Sequence, residues 1–161
     1  MRLVAPLMVL VCLGLAGCSS SPEPKVVKNV VRIDPPPPPV KNHTSLFPDA
    51  GKIDARIVTD HILDIAALPG GSVAEYNVKG KSYQMFIIDT DTNQNAAFMM
   101  LDVKHAMAAD PDYMAHIGGY FGTYKDKPLY CFAKRHYLAG VYGLARAKAD
   151  PLAIELAAQL N

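Results

Sequence analysis

Residues 72–89 read SVAEYNVKGKSYQMFIID, and this stretch decides the fold. Two strand-like runs, at residues 72–78 and 82–89, flank Lys79-Gly80-Lys81, a connection of hairpin length with a glycine where a positive φ is needed. The pattern predicts an antiparallel hairpin. Its second run is strongly apolar around Met85 and Ile87, which is typical of a strand in the middle of a sheet.

The clearest helix is predicted directly after the hairpin, at residues 93–108. Its apolar residues stand at i, i+3, i+4, i+7 and i+11 and form one stripe, which consists of Ala96, Met99, Met100, Val103 and Met107. Asp91 or Thr92 caps the start of this helix. Asp110-Pro111 ends it, and Gly118-Gly119 closes the loop that follows. A helix with such a stripe packs on the sheet.

Three further short strands are predicted at residues 120–124, 129–134 and 137–142, and a last helix at the end of the chain. The connections between these strands are short and polar, which favours an antiparallel meander. Asp150 and Pro151 are typical of the N-cap and first residue of a helix.

The residues before the hairpin are predicted to form a short strand and then a short helix. In the strand, Ile53, Ala55 and Ile57 alternate with polar residues, and the helix contains Ile62 and Ile65. Pro69-Gly70-Gly71 breaks the chain after it. Beyond this opening the order is ββ-α-βββ-α. The expected fold class is therefore α+β: a small antiparallel sheet of about five strands with the helices packed on one face.

The N-terminal residues predict export. Arg2 is followed by an apolar run of about 15 residues that contains Pro6, which is short of the ~20 that a membrane-spanning helix needs. The run ends in Leu15-Ala16-Gly17-Cys18, which resembles the lipobox of bacterial lipoproteins. The resemblance implies cleavage of residues 1–17 as a signal peptide and acylation of Cys18. Because Ser19 rather than Asp follows the cysteine, it also implies an outer-membrane anchor that faces the periplasm.

Residues 18–47 are predicted to be a lipidated tether. Pro35 to Pro39 are five consecutive prolines, which favour a stiff polyproline II spacer. Before them, residues 26–33 form an apolar-basic segment that fits either a strand that pairs with a partner's sheet edge or plain linker. The folded domain is expected at residues 48–161.

A second resemblance covers residues 70–161. Tyr83, the run Asn95-Ala96-Ala97-Phe98, Gly118-Gly119-Tyr120, the strands from Tyr130 to Tyr142 and a closing helix resemble half of a bacterial envelope domain of unknown function. The chain is shorter than that domain and contains no Trp. The resemblance implies an α+β fold and transfers no catalytic residue.

Charge and cysteine content exclude several classes of function. Arg2 is the only charged residue of the leader, so the mature chain would carry 15 basic and 15 acidic residues, without the basic excess of a nucleic-acid-binding protein. Cys12 lies in the leader and Cys18 is the acylation site, so Cys131 has no disulfide partner within the mature chain.

The sequence offers two candidate metal sites, one for copper and one for calcium. Thioether and imidazole groups suit Cu(I), and the candidates are Met99, His105, Met107 and His116, although the helix stripe already accounts for the two methionines as core. The run that begins at Asp89 starts like a calcium loop but has Gln94 where glycine is required and Met100 where glutamate is required. The prediction is therefore no bound cofactor.

No catalytic motif stands out. Cys131 with His136 is the one conceivable nucleophile and base, but Leu129, Tyr130 and Phe132 place the cysteine in a strand, where it is expected to be inert. We therefore expect the protein not to be an enzyme.

Tyrosines are concentrated between residues 113 and 142. The expected partner surface consists of Tyr120, Tyr124, Tyr130 and Tyr137, because tyrosine combines a large apolar ring with a polar tip. The alternative is a half-buried sheet rich in a good strand former. The function that the sequence favours is a lipid-anchored, non-catalytic subunit or assembly factor of an envelope machine, such as a secretion, pilus or conjugation apparatus. The alternative is a periplasmic carrier of a small ligand or of copper.

Overall fold

The structure, a computed structural model, describes residues 39–161. The strands are β1 Lys52–Asp60, β2 Pro69–Val78, β3 Lys81–Asp89, β4 Ala108–Met114, β5 Gly119–Tyr124, β6 Lys127–Lys134 and β7 Tyr137–Tyr142. The helices are α1 Asn93–Ala106 and α2 Arg146–Gln159, with 3-10 turns at Thr44–Leu46 and Ile62–Asp64. The predicted leader, Cys18 and most of the predicted tether lie outside the described residues. None of the helices within 39–161 is both long enough and apolar enough to cross a membrane.

All seven strands form one antiparallel sheet in the order β1-β2-β3-β7-β6-β5-β4. The predicted hairpin is confirmed: Lys79 and Gly80 both have positive φ and connect β2 to β3 as a two-residue turn. α1 then carries the chain from β3 to the far edge of the sheet. A four-strand meander returns from there, so that its last strand, β7, pairs with β3.

Alternate side chains of the central strands enter two hydrophobic clusters, one on each face of the sheet. On the face that we call the first face, β3 and β6 contribute Met85, Ile87, Tyr130 and Phe132. On the second face they contribute Phe86, Ile88, Leu129 and Cys131. All eight side chains are fully buried. The middle of the sheet therefore has a core on either side.

The two helices cover opposite faces, which corrects the prediction that both pack on one face. Ala153 and Leu156 of α2 belong to the cluster on the first face. Val103 of α1, with Met107 directly after the helix, belongs to the cluster on the second face. The physical reason lies in β3: a strand that is apolar at odd and even positions has no solvated face, so both faces must be covered.

The sheet has seven strands, where about five were predicted. One of the two additional strands is β1, which was predicted as the short strand before the hairpin and is not among the five. The other is β4, which contains Asp110-Pro111 and was predicted to be a loop. It lies at the edge of the sheet, where a residue without an N–H group is tolerated. Its pairing with β5 is interrupted by a register shift between Ala108 and Asp112, and Ala109 has a positive φ.

Three element boundaries also differ from the prediction. The short helix expected after β1 is only a 3-10 turn, in which Leu63 and Asp64 have positive φ. Pro69-Gly70-Gly71 begins β2 rather than breaking the chain. α2 begins at Arg146, so that Pro151 lies inside the helix and Asp150 is not its N-cap.

One glycine is required by close packing at the centre of the sheet. A Cβ atom at Gly140 of β7 would clash with the carbonyl oxygen of Tyr130 and would lie 2.7 Å from the ring of Phe86. The aromatic ring of β3 therefore occupies the space that a side chain of β7 would need, and only glycine fits there.

Candidate partner-binding surface

Four tyrosines lie on the second face of the sheet, on strands β4, β5 and β7. Tyr113 and Tyr120 are directly opposite each other in the β4–β5 register, with ring centroids 5.4 Å apart. Tyr124 and Tyr142 both pack against the second-face cluster, with ring centroids 6.4 Å apart. Tyr113 is 60% exposed, whereas the other three rings are partly buried. The arrangement presents aromatic edges and faces to solvent.

Three lysines lie over these rings. The Nζ atom of Lys104, on α1, is 5.2 Å from the ring centroid of Tyr120. Lys125 lies over Tyr124 at 5.4 Å, and Lys127 over Tyr142 at 5.8 Å. These distances are within the range of cation–π attraction. We call the whole set the tyrosine–lysine surface: Tyr113, Tyr120, Tyr124, Tyr142, Lys104, Lys125 and Lys127.

Hydrogen bonds hold two of the rings in place. The hydroxyl of Tyr142 donates to the carbonyl oxygen of Tyr124 at 3.3 Å, and the hydroxyl of Tyr124 donates to the carbonyl oxygen of Asp64 at 3.3 Å. Partial burial raises the pKa of Tyr142. Within residues 39–161 this group has one ion pair, between Lys125 Nζ and Asp64 Oδ2 at 3.0 Å, and it is exposed. Pre-positioned rings lose little conformational entropy on binding, which favours recognition.

The structure does not bring the four predicted tyrosines onto one surface. Tyr120 and Tyr124 belong to the tyrosine–lysine surface, whereas Tyr130 and Tyr137 are buried in the cluster of the first face. The other two tyrosines of the surface are Tyr113 and Tyr142, which pack beside Tyr120 and Tyr124. Only the strand register shows this, because the sequence pattern cannot orient residues of different strands relative to one another.

Tyr130 belongs instead to a polar group beneath α2. Its hydroxyl donates to Asp150 Oδ1 at 2.7 Å, and Nε2 of His116 lies 2.7 Å from the same oxygen. The hydrogen bond from Tyr130, and then the contact with His116, hold the pKa of Asp150 below its ordinary value despite partial burial. Burial and the neighbouring carboxylate raise the pKa of Tyr130. The group joins β6, the β4–β5 turn and α2.

The candidate copper ligands are not brought together. Met107 is buried and Met99 partly buried in the second-face cluster, while His105 lies exposed on α1. His116 contacts Asp150 of α2, the helix that covers the other face. Within residues 39–161 no group of three or more His, Cys, Asp or Glu side chains is arranged to hold a metal ion.

A second polar cluster surrounds Asp89 at the end of β3. Its carboxylate is 7% exposed and lies 3.2 Å from Lys41 Nζ, 3.2 Å from His43 Nε2 and 4.0 Å from His136 Nε2. Burial alone would raise the pKa of Asp89, but donation from the Asp91 amide, Lys41 and His43 holds that pKa below its ordinary value. The cluster fastens the segment before β1 to the sheet.

The same contacts account for the residues that resemble the start of a calcium loop. Lys41 lies 2.7 Å from Asp91 Oδ1 as well as against Asp89, so an ammonium group occupies the position between these carboxylates. Thr92 caps α1 through a hydrogen bond that its hydroxyl accepts from the amide of Asn95 at 3.1 Å. The predicted cap is thereby confirmed.

Cys131 is fully buried in the second-face cluster, and burial raises the pKa of its thiol to about 12. A thiol in this setting is protonated and out of contact with solvent. His136 lies against Asp89 rather than against the thiol of Cys131. The hydroxyl of buried Ser72 accepts a hydrogen bond from the backbone amide of His43, not from an imidazole. These contacts serve packing and backbone satisfaction.

Comparison with known proteins yields no relative. No family model matches the chain, and no curated protein and no solved structure matches it significantly.

Proposed function

We propose that this chain is a lipid-anchored accessory or assembly subunit of an envelope machine that works by binding rather than by catalysis. In this proposal Cys18 carries the anchor at the outer membrane, the N-terminal part of the predicted tether of residues 18–47 spaces the domain from the bilayer, and the domain faces the periplasm. The observation that supports binding is the tyrosine–lysine surface, in which ordered aromatic rings are held beneath lysine ammonium groups. Tyrosine is one of the residues enriched in interface hot spots.

The chemistry of this surface suggests its partner. The three lysines outnumber the carboxylates of Asp64 and Asp126 at this surface, which favours an acidic segment, and the rings provide apolar contact beside it. The partner in this proposal is another envelope protein that presents carboxylates next to aliphatic or aromatic side chains.

The test is co-purification after brief crosslinking of the full-length protein in envelopes. The variant Lys125→Glu/Lys127→Glu reverses two exposed charges of the surface, and Lys134→Glu reverses a lysine at the far end of β6 as the matched control. We expect a stoichiometric partner with the natural chain and the control, and its loss with the double variant. Unchanged recovery with the double variant would exclude this surface.

A periplasmic small-ligand carrier is the second candidate, because an open groove of about 440 Å³ beside α2 is lined largely by apolar side chains. The separation of Met99 and Met107 from His116 leaves the copper form of this alternative without support from the described residues. A natural chain that purifies without any companion would favour the carrier.

A further inference from the structure

The groove beside α2 has apolar walls. It lies between the tip of the β2–β3 hairpin, the loop before β1 and the beginning of α2, and has a volume of about 440 Å³. The apolar lining consists of Ala50, Val78, Tyr83, Leu144, Ala147, Pro151 and Leu152. Val78 is 41% exposed, so the groove leaves a large apolar side chain in contact with solvent. Its size falls within the range of sites for small molecules.

The polar residues of this groove are all cationic. Lys79 and Lys81 flank the hairpin glycine, and Lys148 faces them from α2. None of these three lysines has an ion-pair partner within residues 39–161, and no carboxylate lines the groove. Glu155 lies further along α2, where its charge adds to burial in raising the pKa of Tyr83. The groove therefore combines an apolar interior with positive charge.

The beginning of α2 adds to this positive charge. The N-cap residue is Ala145, which offers no capping side chain, and the first turn contains no acidic residue. Arg146, which is paired with Asp112 at 3.3 Å, and Lys148, which has no ion-pair partner within residues 39–161, occupy that turn instead. Cations at this end oppose the helix dipole, so the arrangement is unfavourable for the helix itself. Local choices that act against the fold are most often found where a protein has a function.

We propose that this groove binds a small anionic amphiphile. The apolar tail lies against Val78, Leu144 and Leu152, and a carboxylate or phosphate head contacts Lys79, Lys81 and Lys148. The charge pattern selects an anion, and the apolar walls select a molecule with a hydrocarbon body over a free inorganic anion. The site is the groove that supports the carrier alternative, and the proposal names the chemistry of its ligand; it is separate from the tyrosine–lysine surface and does not depend on the partner proposed for that surface.

The experiment is isothermal titration of the full-length chain in phosphatidylcholine nanodiscs, with empty discs as the blank. The probes are octyl phosphate, octanol, octyltrimethylammonium and inorganic phosphate. We expect saturable binding of octyl phosphate, and at least tenfold weaker binding of the other three. Lys81→Gln/Lys148→Gln removes two of the three lysine charges and should weaken octyl phosphate binding about 30-fold, which corresponds to about 2 kcal/mol.

Two variants keep the result interpretable. Ala147→Phe fills the groove from an exposed wall position and should abolish binding without disturbing either core. Lys134→Gln removes a charge outside the groove and should leave binding unchanged. Equal affinity for octanol or inorganic phosphate, or unaltered binding by Ala147→Phe, would overturn the proposal. So would loss of octyl phosphate binding in discs that contain phosphatidylglycerol, because the groove would then hold a bilayer lipid rather than a monomeric amphiphile.

Discussion

Asp89 shows at the scale of one residue how a buried charge is kept in this fold. Its carboxylate is almost fully removed from solvent, and three side chains and one amide approach it. A buried ion is stable only when its lone pairs are satisfied in this way. Lys41 and His43 lie before the first strand, so the same contacts order the chain where it enters the domain.

We expect Asp89→Asn to lower the free energy of unfolding by about 1.5–3 kcal/mol at pH 7, because hydrogen bonds to a charged group are lost. The folded pKa of Asp89 is below its ordinary value of 3.8. Its contribution is therefore complete above that value and is lost as the pH falls through the lower folded pKa. Urea unfolding at pH 7 and in steps below pH 4 measures the difference between the two proteins, which should narrow in acid.

Asp126→Asn is the control for this pH series. Asp126 is exposed in the β5–β6 turn with a positive φ, a conformation that asparagine tolerates well. The variant Asp126→Asn should have the same free energy of unfolding as the natural protein at every pH. Equal stability of Asp89→Asn and the natural chain at pH 7 would show that the cluster contributes nothing.

Residues with local roles were predictable from the sequence, and residues with distant partners were not. The Thr92 cap is confirmed because its partner, Asn95, lies three residues away. The burial of Tyr130 was missed because its hydroxyl depends on Asp150, twenty residues further along the chain. Only two of the four tyrosines of the tyrosine–lysine surface, Tyr120 and Tyr124, were predicted from the sequence. Tyr113 and Tyr142 lie beside them because of the strand register.

At the scale of elements, the same division holds. The hairpin, α1 and the strands β5 to β7 carry local periodicity and turn signals, and all were predicted within a few residues. α2 was predicted to begin five residues late because Asp150-Pro151 is typical of a helix start, whereas Ala145 and Arg146 give no start signal. Asp150 is used by Tyr130 and His116 instead of by the helix end.

The first turn of α2 leads to a prediction about stability. Lys148→Glu places a carboxylate at the third helical position, where it favours the helix dipole and can reach the N-cap amide. We expect the free energy of unfolding to rise by about 0.3–1 kcal/mol. Thermal unfolding of the full-length chain measures this change, and Lys134→Glu in β6 should leave it unaltered.

A fall in stability with Lys148→Glu would contradict the account of this helix end. If the proposed groove is correct as well, the same variant gains stability while it loses octyl phosphate binding. That combination separates a residue kept for binding from one kept for folding.

At the scale of the whole molecule, the class α+β was predictable, and the consecutive apolar residues of β3 already indicate that both faces of the sheet are covered. The face that each helix covers was not predictable. Composition and alternating patterns indicate an antiparallel sheet with helices. Which face each helix covers depends on the path of α1 from β3 to the far edge of the sheet, and no local pattern reports that path. In the proposed function, an acyl group on Cys18 also anchors the whole molecule to the outer membrane.

We expect the natural chain to incorporate radiolabelled palmitate and Cys18→Ser to incorporate none, because the lipobox cysteine is the only acylation site proposed. Cys12→Ser is the matched control and should be labelled normally. Immunoprecipitation after metabolic labelling, followed by separation of inner and outer membranes, measures both label and location. Label on Cys18→Ser would exclude the proposed anchor.

The pairing of β3 with β7 has a consequence for how the chain reaches this structure. The paired residues lie about fifty positions apart, so the centre of the sheet forms by closing a long loop rather than by local contacts. The β1–β3 strands and the β4–β7 meander can each form early. Until β7 pairs with β3, however, the backbone groups along that side of the apolar strand β3 have no hydrogen-bond partner. Refolding should therefore be slow for a domain of this size, and the interval before closure is when the chain is most exposed to aggregation.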